Sequence, residues 1–191
     1  MTLMLGVLGS VTPPGRLSRA IDAALLAAAE TAGLSTRLLD LATVRLGFAD
    51  GRPPASLDDD SAAVVAAVSE ADVVLFASPV YRGSFTGALK NLLDLLPVEA
   101  LAGKPCGIVA MGATAHHYLG VDRHLRDVLA WFGALVAPTS VYLTSADFTD
   151  GAPSAGALAE MAALARTTLL LRAALPAGAA LGPAPLAARR G

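Results

Sequence analysis

The stretch Asp72-Val73-Val74-Leu75-Phe76-Ala77-Ser78-Pro79-Val80-Tyr81-Arg82-Gly83-Ser84-Phe85-Thr86-Gly87-Ala88-Leu89-Lys90-Asn91-Leu92-Leu93-Asp94 decides the fold. Its first part, Asp72 to Ala77, centres on the apolar run Val73-Val74-Leu75-Phe76. That run suits a strand buried on both faces and is too short for a helix. The helix that its last part opens, Gly87 to Leu96, spaces Leu89, Leu92, Leu93 and Leu96 along one side. A loop rich in Pro, Tyr, Gly and hydroxyl groups joins the two. A buried strand, a polar loop and an amphipathic helix in succession make half of a βαβ unit.

Working outward, the same alternation recurs. Leu3 to Leu8 is a compact apolar run ended by Gly9-Ser10, and Ser18 to Ala32 carries Ile21, Leu25 and Ala28 on one helical face. Gly33 is the stop signal of that helix. Ser35 to Leu39 reads as a second strand, and Gly47 to Asp60, rich in Pro, Gly and Asp, as a loop. Asp58-Asp59-Asp60 precede a helix from Ser61 to Glu70, where their charge complements its dipole. Downstream, Gly107 to Met111 and Thr139 to Leu143 read as strands, and Val121 to Phe132 and Ala155 to Leu175 as helices. Leu158, Met161, Leu164, Leu171 and Leu175 mark the core face of the last one. A β-α unit repeated five times implies an α/β fold, with helices on both faces of a parallel sheet and right-handed crossovers. One domain over residues 1–175 is expected, followed by a flexible Pro/Ala-rich tail over 176–191.

The totals narrow the function classes. A chain of 191 residues makes one well-buried domain. Its hydrophobic fraction of 54% excludes a disordered chain and raises the question of a membrane span. The best candidate span, Ala155 to Leu175, is broken by Glu160, Arg166 and Arg172, so no membrane association is expected. A net charge of −2 without a dense basic run argues against nucleic-acid binding. Met1 to Ser10 lacks a basic start and a small-residue cleavage site, so a cytoplasmic location is expected. The single cysteine, Cys106, excludes a disulfide framework and reads as a small buried hydrophobe. The adjacent pair His116-His117 is a poor metal site, because neighbouring residues seldom face one centre. These histidines are read as buried or subunit-facing, and His124 as a surface residue. Trp131 and Phe132 are read as filling the core or an interface. No metal is expected.

In an open parallel sheet, ligands bind beyond the carboxyl ends of the strands. The loop after the first strand, Gly9-Ser10-Val11-Thr12-Pro13-Pro14-Gly15-Arg16-Leu17-Ser18-Arg19, leads into a helix N-terminus. Such a terminus favours an anion, most simply a phosphate, with Ser10 and Ser18 as donors and Arg16 as counter-charge. The competing reading is that Ser18 caps the helix and the prolines stiffen a turn. The loop lacks both the Lys-Ser/Thr pair of a P-loop and the GxGxxG fingerprint. Asp40, at the end of the second strand, is the one Rossmann-like coincidence. No Gly-x-Ser-x-Gly elbow follows any strand, which disfavours a hydrolase.

The second loop, Ser78-Pro79-Val80-Tyr81-Arg82-Gly83-Ser84, with the Gly87-Ala88-Leu89-Lys90 helix start, resembles the NADPH-dependent FMN reductase family of flavodoxin-like proteins. The likeness is greatest to the reductase components of two-component alkanesulfonate monooxygenases. They have a similar Pro-Val-Tyr loop and a similar Leu-Leu-Asp-Leu-Leu-Pro, here Leu92 to Pro97. The Gly9-Ser10 loop and Ala110-Met111-Gly112-Ala113-Thr114 are also similar. The resemblance runs over roughly Leu3 to Leu143.

It implies a flavodoxin-like three-layer sandwich with a five-stranded parallel sheet in the order 2-1-3-4-5. It further implies FMN as cofactor and NADPH or NADH as hydride donor. Pro79, Val80 and Tyr81 supply a flat wall and backbone groups for the flavin ring. Arg82 is the candidate cation at its pyrimidine edge, a position where many relatives have Asn. Gly83 allows close backbone approach, and Ser84 belongs to the same loop. Gly112, Ala113 and Thr114 would line the opposite side. No catalytic side chain is implied, because the redox chemistry is the cofactor's. The resemblance points to a homodimer or homotetramer that supplies reduced FMN to a partner monooxygenase. Arg123 stands where those reductases insert an interface tyrosine associated with flavin release. This departure keeps open a protein that retains FMN and reduces quinones or other small acceptors. A flavodoxin-like electron carrier is the further alternative, although −2 is a poor match to a strongly acidic redox surface.

Overall fold

In the computed structural model, which describes residues 1–175 together with 182 and 183, alternate residues of each central strand feed opposite helical layers. On β1 (Thr2–Leu8), Leu5 and Val7 face one core while Met4 and Leu8 face the other. On β3 (Val73–Pro79), Val74 and Phe76 divide from Val73, Leu75 and Ala77 in the same way. Period-two alternation in runs that are apolar throughout is what a sheet covered on both faces requires. The first core is closed by α2 (Ser61–Glu70), α3 (Gly87–Leu95) and α4 (Tyr118–Trp131). The second is closed by α1 (Arg16–Ala29) and α5 (Ala155–Ala174). The expected tail falls on residues that, 182 and 183 apart, lie outside the described set.

Strand order is β2-β1-β3-β4-β5, with every neighbouring pair parallel, where β2 is Leu34–Asp40, β4 is Pro105–Met111 and β5 is Leu135–Val136. The expected order 2-1-3-4-5 is thus observed. The fifth strand differs from the expected Thr139–Leu143. It is two short pieces on one edge of β4, β5 and then β6 (Val141–Leu143), with Pro105 opposite Leu135 and Val109 opposite Val141. Ala137 still donates to the Cys106 carbonyl at 2.8 Å. Pro138 follows and has no N–H to continue the ladder. A hairpin absent from the sequence reading comes next, β7 (Phe148–Thr149) and β8 (Ala152–Pro153). Asp150 and Gly151 form its turn with φ of +50° and +78°, the double positive φ that Asp-Gly favours.

Helix boundaries shift by a few residues. α1 begins at Arg16, two residues before the expected start, which places Ser18 inside the first turn rather than at the cap. The N-cap is Gly15, which has no side chain to satisfy the free N–H groups. On α5 the buried residues are Ala157, Met161, Leu164, Ala165 and Thr168, while Leu158, Leu171 and Leu175 are only half-buried. Met161 and Leu164 thus lie in the core as expected, and the bare Cα of Gly107 on β4 makes room for Leu164. A Cβ at Gly107 would stand 3.1 Å from Leu164 Cγ.

Cys106 is buried, and burial pushes its thiol up to about 12. The neutral thiol is therefore the form present at any ordinary pH. The native protein is expected not to react with a disulfide reagent such as DTNB at mildly alkaline pH, and to react fully once unfolded. Rapid labelling of the folded protein would contradict this placement. His116 and His117 are both exposed rather than buried, and His124 is exposed as expected. Phe132 lies in the core, whereas Trp131 is 58% exposed and meets Phe132 edge-on with centroids 5.7 Å apart.

Candidate functional site

The carboxyl ends of β1, β3 and β4 open into a cleft of about 310 Å³. Its floor is Leu8 and Met111, and the first loop and the start of α1 form one side. Of the residues expected to bind cofactor, Ser10, Arg16, Ser18, Pro79 and Tyr81 line it. Thr12, Pro13, Pro14 and Gly15 line it as well. No acid is among the lining residues, and the first turn of α1 contains none.

The start of α1 is the electropositive part of the cleft. The first N–H groups of a helix have no intrahelical acceptor, and here no side chain caps them. Ser18, now within the first turn, presents a hydroxyl there, and Arg16 adds a full charge. Ser10 Oγ and Thr12 Oγ1 lie 2.8 Å apart, and the Thr12 N–H donates to Ser10 Oγ at 3.4 Å. Thr12 was not singled out from the sequence, although Ser10 is the signal of such a turn, its hydroxyl bonding the backbone two residues on. Asp40, the Rossmann-like acid, is turned to its own loop and accepts the Ala42 N–H at 2.9 Å.

The second loop is a tight hairpin turn. Tyr81 and Ser84 exchange backbone hydrogen bonds of 2.8 and 3.1 Å around Arg82 and Gly83, whose φ values are +52° and +78°. Both central residues are left-handed, as in a type I′ turn. The turn by itself favours glycine at position 83, and a Cβ there would meet no protein atom within 4 Å. A positive φ is a conformation that Asn adopts more readily than Arg, so Arg82 occupies a backbone position unusual for its residue type. Arg82 and Ser84 do not line the cleft, and Arg82 is exposed. Val80 also lies outside the lining, and its N–H donates to the Met111 carbonyl at 2.8 Å.

Behind the loops sits Thr86, which sequence reasoning missed. Its hydroxyl donates to the Gly9 carbonyl and accepts the Leu89 N–H at 3.1 Å. Its own N–H donates to the buried Ser78 hydroxyl at 3.1 Å. One buried side chain thereby caps α3 and ties the first loop to the second. Gly9 fits only without a side chain, since a Cβ would lie 2.9 Å from Leu89 Cβ.

Gly112, Ala113 and Thr114 do not line the cleft, and the structure brings them to another residue that was missed, Tyr142. The Tyr142 hydroxyl donates to the Thr114 carbonyl at 2.7 Å and overlaps the space a Cβ on Gly112 would fill. Partial burial raises the pKa of this phenol. A larger groove of about 570 Å³ runs between α3 and α4 beside Trp131, away from the strand ends. Among the described residues, no three His, Cys, Asp or Glu side chains are placed to hold a metal ion. No helix among them is long and apolar enough to cross a membrane.

Comparison with known proteins follows the same lines. An NAD(P)H-dependent FAD/FMN reductase of Geobacillus thermodenitrificans is 42% identical over 114 residues, covering 60% of this chain and 62% of that protein. The chain thus spans less than two thirds of that relative's length. An FMN reductase (NADPH) of Pseudomonas aeruginosa is 34% identical, covering 77% of this chain and 79% of its own. Among solved structures, an oxidoreductase from Corynebacterium diphtheriae superposes with a TM-score of 0.71 at 26% identity, over 92% of this chain and 99% of that one. The family model for NADPH-dependent FMN reductase matches residues 2–148, from β1 through all three loops to the edge strand. By that match and by its fold, the chain belongs to the NADPH-dependent FMN reductase family.

Proposed function

We propose that the protein is an NAD(P)H-dependent FMN reductase whose flavin sits in the cleft at the ends of β1, β3 and β4. The observation that carries this reading is the uncapped, acid-free start of the 14-residue helix α1, facing the same cleft as Pro79 and Tyr81. That terminus fits a dianionic phosphate, and the second loop fits an aromatic ring. The backbone N–H groups of the first turn, Ser10, Ser18 and Arg16 would hold the phosphate. Pro79, Val80 and Tyr81, with the backbone of Arg82, Gly83 and Ser84, would hold one side of the ring system. Gly112, Ala113 and Thr114 would bound the other side, in the position that Tyr142 sets. Bound FMN supplies the redox chemistry, accepting hydride from the nicotinamide of NADPH or NADH. The chain's own task is to bind and orient, and no side chain in the cleft is required as an acid or base.

Two fates for the electrons follow. In the first, FMN leaves reduced and serves a flavin-dependent monooxygenase. In the second, it stays bound and the protein reduces a small acceptor such as a quinone. Arg123, exposed on α4, favours the second because it replaces the tyrosine associated with release. Assembly into a homodimer or homotetramer is part of the proposal, supported by Tyr118, Leu119 and Trp131, apolar and exposed along α4.

The test is NADPH and NADH oxidation by flavin-stripped protein, with and without added FMN. Oxidation that depends on FMN supports the reading. Saturation at stoichiometric FMN points to retention, and a rate that keeps rising with free FMN points to release. A protein that neither binds FMN nor oxidises either nucleotide in its presence sinks it.

A further inference from the structure

The tip of the second loop is held from outside the cleft by α4, and nothing in the proposed function uses the residues that do so. His124 Nδ1 lies 3.0 Å from Ser84 Oγ, across 40 residues of sequence. Ser84 in turn exchanges both backbone hydrogen bonds with Tyr81, which lines the cleft. One turn before His124, Gly120 lies against the Gly83 carbonyl. A Cβ on Gly120 would stand 2.5 Å from that oxygen. Helix α4 therefore touches the turn through a bare Cα and grips it through an imidazole.

A two-residue turn with both φ values positive is narrow, and a non-glycine residue at one of them, Arg82, adds strain. The two Tyr81–Ser84 backbone bonds close the turn on itself and the Val80 N–H ties its base to β4, while the contact from α4 anchors its tip. Leu125, next to His124, is fully buried, and so is Val121, which fixes the helix relative to the sheet.

We propose that His124 is a positioning residue for the flavin loop, acting through Ser84, with Gly120 providing the close approach that makes this reach possible. The inference rests on the reading of the cleft as the flavin site. Either partner can be the donor, since the imidazole Nδ1 and the hydroxyl each serve both ways. Without the contact, Tyr81 samples more orientations and the site must be ordered on binding, which weakens affinity without altering the nucleotide chemistry.

The experiment measures FMN affinity by fluorescence titration, together with NADPH-oxidation kinetics, for wild type, His124→Ala, His124→Asn, Ser84→Ala and the Ser84→Ala/His124→Ala double variant. Loss of one hydrogen bond predicts that His124→Ala weakens FMN binding about fivefold. The KM for FMN should rise in step, while kcat at saturating FMN stays within about twofold. Asn keeps a polar group near the Nδ1 position and should restore most of the affinity. The double variant should be no weaker than the weaker single one, because both remove the same contact. Circular dichroism and thermal unfolding show that each variant is folded. Unchanged affinity in His124→Ala, failure of Asn to rescue, or additive losses in the double variant would each overturn the inference. Wild-type protein that binds no FMN would instead overturn the flavin-site reading itself, and the inference with it.

Discussion

Riboflavin is expected to bind about a hundredfold more weakly than FMN, the value of two charge-assisted hydrogen bonds at about 1.5 kcal/mol each. The two ligands share the ring and the ribityl chain, so the difference isolates the phosphate. The start of α1 offers N–H groups without intrahelical or side-chain acceptors, no acid in the first turn, and Arg16 beside them. On the proposed reading those groups would hold the phosphate, whereas the terminal hydroxyl of riboflavin offers a single neutral acceptor oxygen and no charge. Part of the difference is Coulombic and exposed to solvent, so it should narrow as salt rises. Arg16→Ala should lower FMN affinity and leave riboflavin affinity nearly unchanged. Calorimetric titration of both flavins checks both statements. Riboflavin binding within about threefold of FMN would mean that the phosphate is not held at α1.

Thr86→Val is expected to destabilise the fold by about 3 kcal/mol and to weaken FMN binding as well. Valine matches threonine in shape, so no cavity forms and the loss is polar. It strands the Gly9 carbonyl and the Leu89 N–H, both bonded to the Thr86 hydroxyl, and each buried unpaired group costs about 1–3 kcal/mol. For a domain of this size the melting temperature should fall by roughly 6–12 °C. Flavin binding suffers because Gly9 begins the loop that carries Ser10 and Thr12 into the cleft. Thr86→Ser retains the hydroxyl and should recover most of the loss. A Val variant that melts with the wild type would show that the link between the two loops contributes nothing to stability.

Several elements of the site were legible because they rest on local rules. Val73 to Phe76 reads as a buried strand from its apolar run, and Leu89, Leu92 and Leu93 mark the inner face of α3 by spacing alone. The same holds for the first loop, where hydroxyls, glycines and Arg16 run into a helix start. The Asp150-Gly151 turn was equally legible in principle, since that dipeptide favours two positive φ values, but its flanking strands are only two residues long. Splitting of the edge strand was less visible. Val141 to Leu143 has a strand's composition, whereas Leu135-Val136 is too short to show any period.

From the sequence alone came the β-α alternation, the parallel sheet and the three loops at its carboxyl edge, because apolar period and turn chemistry act between near neighbours in the chain. The tertiary structure alone decided how those loops are held. Thr86 reaches Gly9 across 77 residues, Tyr142 reaches Thr114 across 28, and His124 reaches Ser84 across 40. No local pattern marks these residues, since a hydrogen bond between distant segments exists only once strand order has set them side by side. The missing Cβ atoms of Gly9, Gly112 and Gly120 belong to the same class. Their necessity lies in Leu89, Tyr142 and the Gly83 carbonyl, which only the packed fold brings within reach.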